Sequence, residues 1–276
     1  MRKEIIITLL LCVPMLMNGQ VSGGQIKRQQ QASKVTKPQK RNVNSGETHK
    51  LKTESEETAE HRALSVYTKQ SVDIYGRVIE YEVSQAVDLG LPSGTIWAGY
   101  NIGANSPEER GDYYAWGDII SKEVYTSDNY FDKVEGNDLV FKTFNNDHYT
   151  IIGTNRDVAR VKWGSPWKMP NKNQFEELIN HCKIKLVEIY IRGRFFLITG
   201  PNGKSILLPC AGRIQGTPGD FSYRVDGCNY WCGELHRDGM SYSALCFFVD
   251  SRSSSNITPA ISDELRWHGM NVRAVK

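Results

Sequence analysis

The run CNYWC sets two thiols, Cys228 and Cys232, four residues apart around an aromatic pair, and GELHRDG follows with His236 and Asp238. Thiols so close in sequence suggest either a disulfide couple or a metal site. A disulfide needs Cα atoms roughly 4.4–6.8 Å apart. In a strand the two cysteines share one face at about 13 Å, given ~3.3 Å per residue, so only a bulge or a turn would join them. The spacing also lacks the two-residue gap of thioredoxin-like motifs. As zinc ligands, Cys228, Cys232, His236 and Asp238 match neither paired C-x-x-C nor H-E-x-x-H. The pattern reads as two core thiols, an exposed histidine and a loop carboxylate, with no metal and no cofactor. A thiol oxidoreductase working through Cys228 and Cys232 is the alternative.

Other chemistries leave less trace. The chain has no G-x-S-x-G nucleophile elbow and no G-x-x-x-x-G-K phosphate loop. What does stand out is the stretch from Gln215 to Tyr242, polar, turn-rich and loaded with aromatic and arginine residues. Those types dominate binding hot spots. Phe221, Tyr223, Arg224, Tyr230, Trp231 and Arg237 are therefore the expected ligand contacts, made to a surface glycan or protein.

The elements that must position them are short. SVDIYGRVIEYEV alternates apolar and polar residues around Tyr75-Gly76, which predicts a hairpin. TIWAGYNIG, GDYYAWGD and LVFKTF are aromatic segments broken by glycine, a strand-and-turn pattern. Two helices are predicted. NRDVARVKWG is opened by Asn155 or Asp157 and stopped at Gly164. NKNQFEELINHC is capped by Asn171 and carries Phe175, Leu178, Ile179 and Cys182 on one face. GRFFLITGPNGKSILLPCAG reads as a second hairpin, and SALCFFVD and the closing MNVRAVK as two further strands. Trp97, Trp116, Trp163 and Trp167 each stand near a turn residue, where large indoles fill the core beneath long loops. The fold class expected is α+β, an irregular antiparallel sheet with two helices packed on it.

A chain of 276 residues with 39% hydrophobic and 24% charged residues is ordinary for a globular protein. Its net charge of +3, scattered along the chain, excludes the clustered basic face of a nucleic-acid binder. Residues 1–20, MRKEIIITLLLCVPMLMNGQ, combine a basic start, an apolar run and a small-residue cleavage point near Gly19. The run is shorter than the ~20 residues that span a bilayer, and no second stretch approaches that length. Residues 1–20 are thus expected to be a signal peptide, and the mature protein to be exported to the periplasm, the outer cell surface or the medium. Residues 21–65 hold no Phe, Trp or Tyr and read as a polar, disordered linker. Residues 66–276 form the expected domain. Export permits disulfides, and the odd number of cysteines beyond the leader leaves at least one thiol free or paired between chains, as in a self-assembling envelope component.

In order, VDLGLPSGTIWAGYNIGANSPEERGDYYAWGD, DVARVKWGSPWKMPNKNQFEELINHC, ITGPNGKSILLPCAGR, GCNYWC and RWHGMNVRAV resemble the Fibrobacter succinogenes major paralogous domain, over about residues 83 to 275. The resemblance implies a C-type-lectin-like fold related to the sulfatase-modifying-factor group, in a secreted, envelope-associated protein. It brings little chemistry. Members of the family usually carry serine where Cys232 stands. The related formylglycine-generating enzymes use a C-terminal cysteine pair, whereas this chain has no cysteine after Cys246. A formylglycine-generating type of activity through Cys228 and Cys232 is accordingly an alternative, and a non-enzymatic binding or adhesion module is the expectation. Calcium-dependent lectins place Glu or Gln before a Pro-Asn or Pro-Asp pair; here the corresponding position is Gly200.

Overall fold

The computed structural model describes residues 67–134, 137–141, 150–218, 224–225, 227–235, 242–250 and 257–276. The expected signal peptide and linker lie outside the described residues. Everything described belongs to one compact unit, Leu51–Lys276.

The alternation around Tyr75-Gly76 closes as predicted: β1 (Tyr67–Val72) and β2 (Val78–Val83) pair antiparallel, with Val72 opposite Val78. Gly76 turns the chain at φ 77°, a conformation that only glycine adopts without penalty. β3 (Ala86–Asp88) and β4 (Ile96–Ala98) form a second short ladder. After a one-turn 3-10 helix (Ser127–Asn129) come the paired β5 (Lys133–Val134) and β6 (Asn137–Phe141).

Both helices form where their caps stand. Helix α1 (Val158–Trp163) begins because the Asp157 carboxylate accepts from the backbone N–H of Ala159 and Arg160, and it ends at Gly164. Helix α2 (Lys172–His181) opens on a reciprocal box in which Asn171 and Gln174 accept from each other's backbone N–H. Its Phe175 and Leu178 are fully buried, and Ile179 and Cys182 pack against the same core.

The remainder is antiparallel. β7 (Lys183–Ile189), β8 (Gly193–Thr199) and β9 (Ser205–Pro209) make one three-stranded sheet. β10 (Arg213–Ile214) pairs with β11 (Arg224–Val225). β12 (Cys228–Trp231), β13 (Ser243–Val249) and β14 (Ala260–Leu265) make the second three-stranded sheet. The architecture is mixed α+β, dominated by short antiparallel sheets with two helices.

The longest strands beyond the sequence expectation are β7 and β14. KIKLVEI follows α2 at once, with no turn residue to announce it, and AISDEL carries two carboxylates that lower its strand propensity. Each forms because a long ladder beside it supplies partners. The closing MNVRAVK departs in the other direction. It makes single bridges from Met270 to Tyr114, from Asn271 to Tyr230 and from Val275 to Trp97 and Lys168. The segment threads between elements and serves a different neighbour at almost every residue.

The core explains this threading. On one side of β12 and β13, Tyr230, Phe247 and Val249 meet Phe196, Ile198, Ile206 and Leu208 of the other three-stranded sheet, together with Phe175 of α2. Phe175 stacks on Phe247 at 4.9 Å and 9°. On the opposite side, Trp231, Ala244 and Cys246 meet Trp116, Val158, Ala159 and Met270. The sheet containing CNYWC is covered on both faces, at about 1.5–3 kcal/mol for each large side chain withdrawn from water.

Candidate functional site

Because β12 is buried on both faces, its alternation decides only which half of the core each residue enters. Cys228, Tyr230 and Cys232 face one half and Trp231 the other. All four are fully buried, and neither cysteine is bridged. Burial pushes the Cys228 thiol well above its ordinary value, neighbouring Cys210 adds to the rise, and Arg273 only partly opposes it. Burial likewise raises Cys232, reinforced by Cys246, and raises Cys246 itself. Cys182 is pushed up to about 11, by burial and then by Glu177. A nucleophilic or redox cysteine acts as its thiolate, and these surroundings hold the proton on sulfur.

The expected ligand contacts divide. Phe221, Tyr223 and Arg237 lie outside the described residues, as do His236 and Asp238. Arg224 sits in β11 with its backbone opposite Ile214. Tyr230 and Trp231 are corrected: both are core residues with no surface to offer. Their polar atoms are tied to neighbouring segments of the core. The Trp231 indole N–H donates to the Tyr114 carbonyl at 2.8 Å, and the Tyr230 hydroxyl donates to the Pro209 carbonyl at 3.1 Å while accepting from Asn101 Nδ2 at 3.1 Å. Beside them Arg273, fully buried, donates to Asn101 Oδ1 at 2.9 Å, to the Ala98 carbonyl at 3.1 Å and to the Leu207 carbonyl at 2.6 Å. A planar guanidinium thus reaches three acceptors on two chain segments, Ala98–Asn101 and Leu207, a span that its rigid fork of donors suits.

Among the described residues no three His, Cys, Asp or Glu gather where they could hold a metal. One cleft of about 410 Å³ lies between α2 and β14, lined by Lys172, Glu176, Ile179, Ile261, Ser262 and Asp263. Its lysine is paired with Glu176 at 3.4 Å.

The surface that stands apart is built from two turns. Of the nine exposed large hydrophobic residues among those described, seven belong to the β1–β2 and β7–β8 hairpins. The turn residues proper are Ile74 and Tyr75 in the first, and Tyr190 and Ile191 in the second. The first turn is self-capped. The buried Asp73 carboxylate accepts from the backbone N–H of Tyr75 and Arg77, both at 2.9 Å, and from Arg77 Nε at 2.6 Å, while the Arg77 guanidinium lies 5.1 Å from the Tyr75 ring. Burial raises the Asp73 pKa, but these donors outweigh it and hold the carboxyl below its ordinary value.

The second turn is tighter. Arg192 N–H donates to the Ile189 carbonyl at 3.0 Å, and Ile191 takes φ 64° at the position that such a turn normally gives to glycine or asparagine. The two turns are joined: Ile74 N–H donates to the Glu188 carbonyl at 2.9 Å, and Asp73 bridges Ile189. Beneath them Tyr75, Arg77, Lys185, Leu186 and Ile257 line a cleft of about 400 Å³. Sequence reasoning placed the Tyr75-Gly76 turn without giving it a function, and it did not place the turn at residues 190–192. The signal was the paired wording, IYGR and IYIRGR, in which apolar and aromatic residues occupy turn positions usually left to polar ones.

Compared with protein-family models, with curated proteins and with solved structures, the chain matches none.

Proposed function

We propose that this protein is an exported, non-enzymatic binding module of the bacterial cell envelope, with a C-type-lectin-like domain held on a polar linker. The leader at residues 1–20 and the family resemblance support the location and the fold. The binding reading rests on one observation: aromatic, aliphatic and arginine side chains crowd two turns closed by their own hydrogen bonds. Clustered exposed apolar residues of this kind mark interaction sites rather than ordinary surface, and a pre-ordered turn loses little entropy on docking. The same chemistry was expected of the 221–237 loops, and the paired turns supply it in a place where the side chains face water.

The test is retention of the mature protein on arrays of glycans, proteins and lipids, compared with a Tyr75→Ser/Tyr190→Ser variant. Both tyrosines are exposed, so the variant keeps its fold. Binding by the parent that the variant loses is the expected result. Retention of neither protein, or of both equally, overturns the reading.

A further inference from the structure

We infer that the paired turns dock on an anionic lipid bilayer surface, an assignment that rests on the binding reading above and names its partner class. Three observations favour lipid over the other candidates. First, the outermost residues are aliphatic as well as aromatic. Ile191 is 89% exposed and Tyr190 76% exposed; isoleucine adds nothing to sugar stacking but partitions into the acyl boundary, while tyrosine settles at the headgroup level. Second, residues 73–78 and 185–194 carry four basic side chains, Arg77, Lys185, Arg192 and Arg194, against two carboxylates, Asp73 and Glu188. Both carboxylates are drawn back from the tips: Asp73 is buried against Arg77, and Glu188 is half-buried facing Arg194. Arginines placed behind an apolar tip can lay their stems on it and reach phosphate oxygens.

Third, the two most exposed apolar residues, Tyr190 and Ile191, sit at a turn joined to the first by backbone hydrogen bonds and are not among the residues lining the cleft beneath, so a small ligand held in that cleft would leave them in water. Ile191 sharpens the point. A β-branched residue in the left-handed region is strained, and at this exposure it gains no folded-state packing in return. Insertion into lipid supplies the burial that the fold withholds.

The test is co-sedimentation of the mature protein with vesicles of phosphatidylcholine alone and with phosphatidylglycerol added. Binding is expected only to the anionic vesicles, weakening as salt is raised. Arg192→Gln should weaken it about fivefold, the effect of one basic residue at a charged surface. Ile191→Asn should weaken it about tenfold or more, the partition of one buried isoleucine, without loss of thermal stability. Equal pelleting with neutral vesicles, or binding untouched by both substitutions, overturns the lipid assignment. So does retention of an array glycan or protein through the same tyrosines with no vesicle binding, and that outcome leaves the binding reading standing. No retention on arrays or vesicles removes both.

Discussion

Replacing Ile191 by asparagine should make the protein more stable. The residue occupies φ 64°, where an L residue with a Cβ suffers about 1–2 kcal/mol from the close approach of its following carbonyl. Asparagine is several-fold enriched in that region because its short amide can bond locally. Packing offers no counterweight, since the isoleucine side chain is 89% exposed and touches no part of the core. Relief of about 1 kcal/mol is therefore expected, and for a domain of roughly 150–250 residues that raises Tm by about 2–4 °C. The assay is a reversible thermal melt of the parent and variant domains followed by near-ultraviolet circular dichroism, with a urea melt to confirm that the m-value is unchanged. An unchanged or lower Tm would show that the left-handed turn is not the strained native geometry. With it would fall the argument that Ile191 is kept for something outside the fold.

Three other perturbations probe the interior. Ellman's reagent at pH 8 should leave Cys228, Cys232 and Cys246 unmodified in the folded protein and reach all five described cysteines in denaturant; rapid native labelling of either thiol in CNYWC would revive thiol chemistry. Arg273→Lys should cost about 3 kcal/mol by urea denaturation, because an ammonium cannot span the acceptors on Asn101, Ala98 and Leu207 and leaves buried carbonyls unmet; a loss below about 1 kcal/mol would remove the guanidinium from its joining role. Burial tends to raise the Glu264 carboxyl, but the His268 hydrogen bond at 3.0 Å and Arg213 at 2.6 Å outweigh it and hold the group below its ordinary 4.5. Its folded pKa being lowered, the stability it contributes is present above pH 4.5 and lost as pH falls below that value; Glu264→Gln should flatten the acid limb of a stability–pH profile, and an unaltered limb would count against the pairing.

How much of this could be read from the chain depended on whether the signal was local. The caps Asp157, Asn171 and Gly164, and the turns at Tyr75-Gly76 and Pro201-Asn202, act through neighbours within four residues, and the structure uses each where the residue types placed it. β14 and the closing segment could not be read the same way, because their partners are distant in sequence. AISDEL is a strand through β13, and MNVRAVK serves Tyr114, Tyr230, Trp97 and Lys168 in turn. Tyr230 and Trp231 were misplaced for a related reason. An aromatic beside an arginine looks alike in a loop and in a strand covered on both faces, so Tyr230 and Trp231 carried the right chemistry in a place that exposes none of it.

That double coverage also determines where function can reside. A strand with one wet face can present alternate side chains to a ligand, but β12 spends both faces on the core, and its two thiols are packing material on one of them. Tyr230, Trp231, Arg273 and Asn101 spend polar atoms on backbone carbonyls and on one another inside the core. The same core anchors the outer turns. The β7–β8 ladder pairs Ile189 with Gly193 at its very end, so the strain at Ile191 is borne by a sheet anchored through Val187, Phe195 and Leu197 in the core. Weakening that anchor, by Phe195→Ala for instance, should loosen the tip and relax Ile191 at the same time. The stabilisation expected from Ile191→Asn should then shrink in the Phe195→Ala background, a non-additivity of the kind that marks coupled sites. Full additivity of the two substitutions would mean that the core does not hold the turn in its strained form.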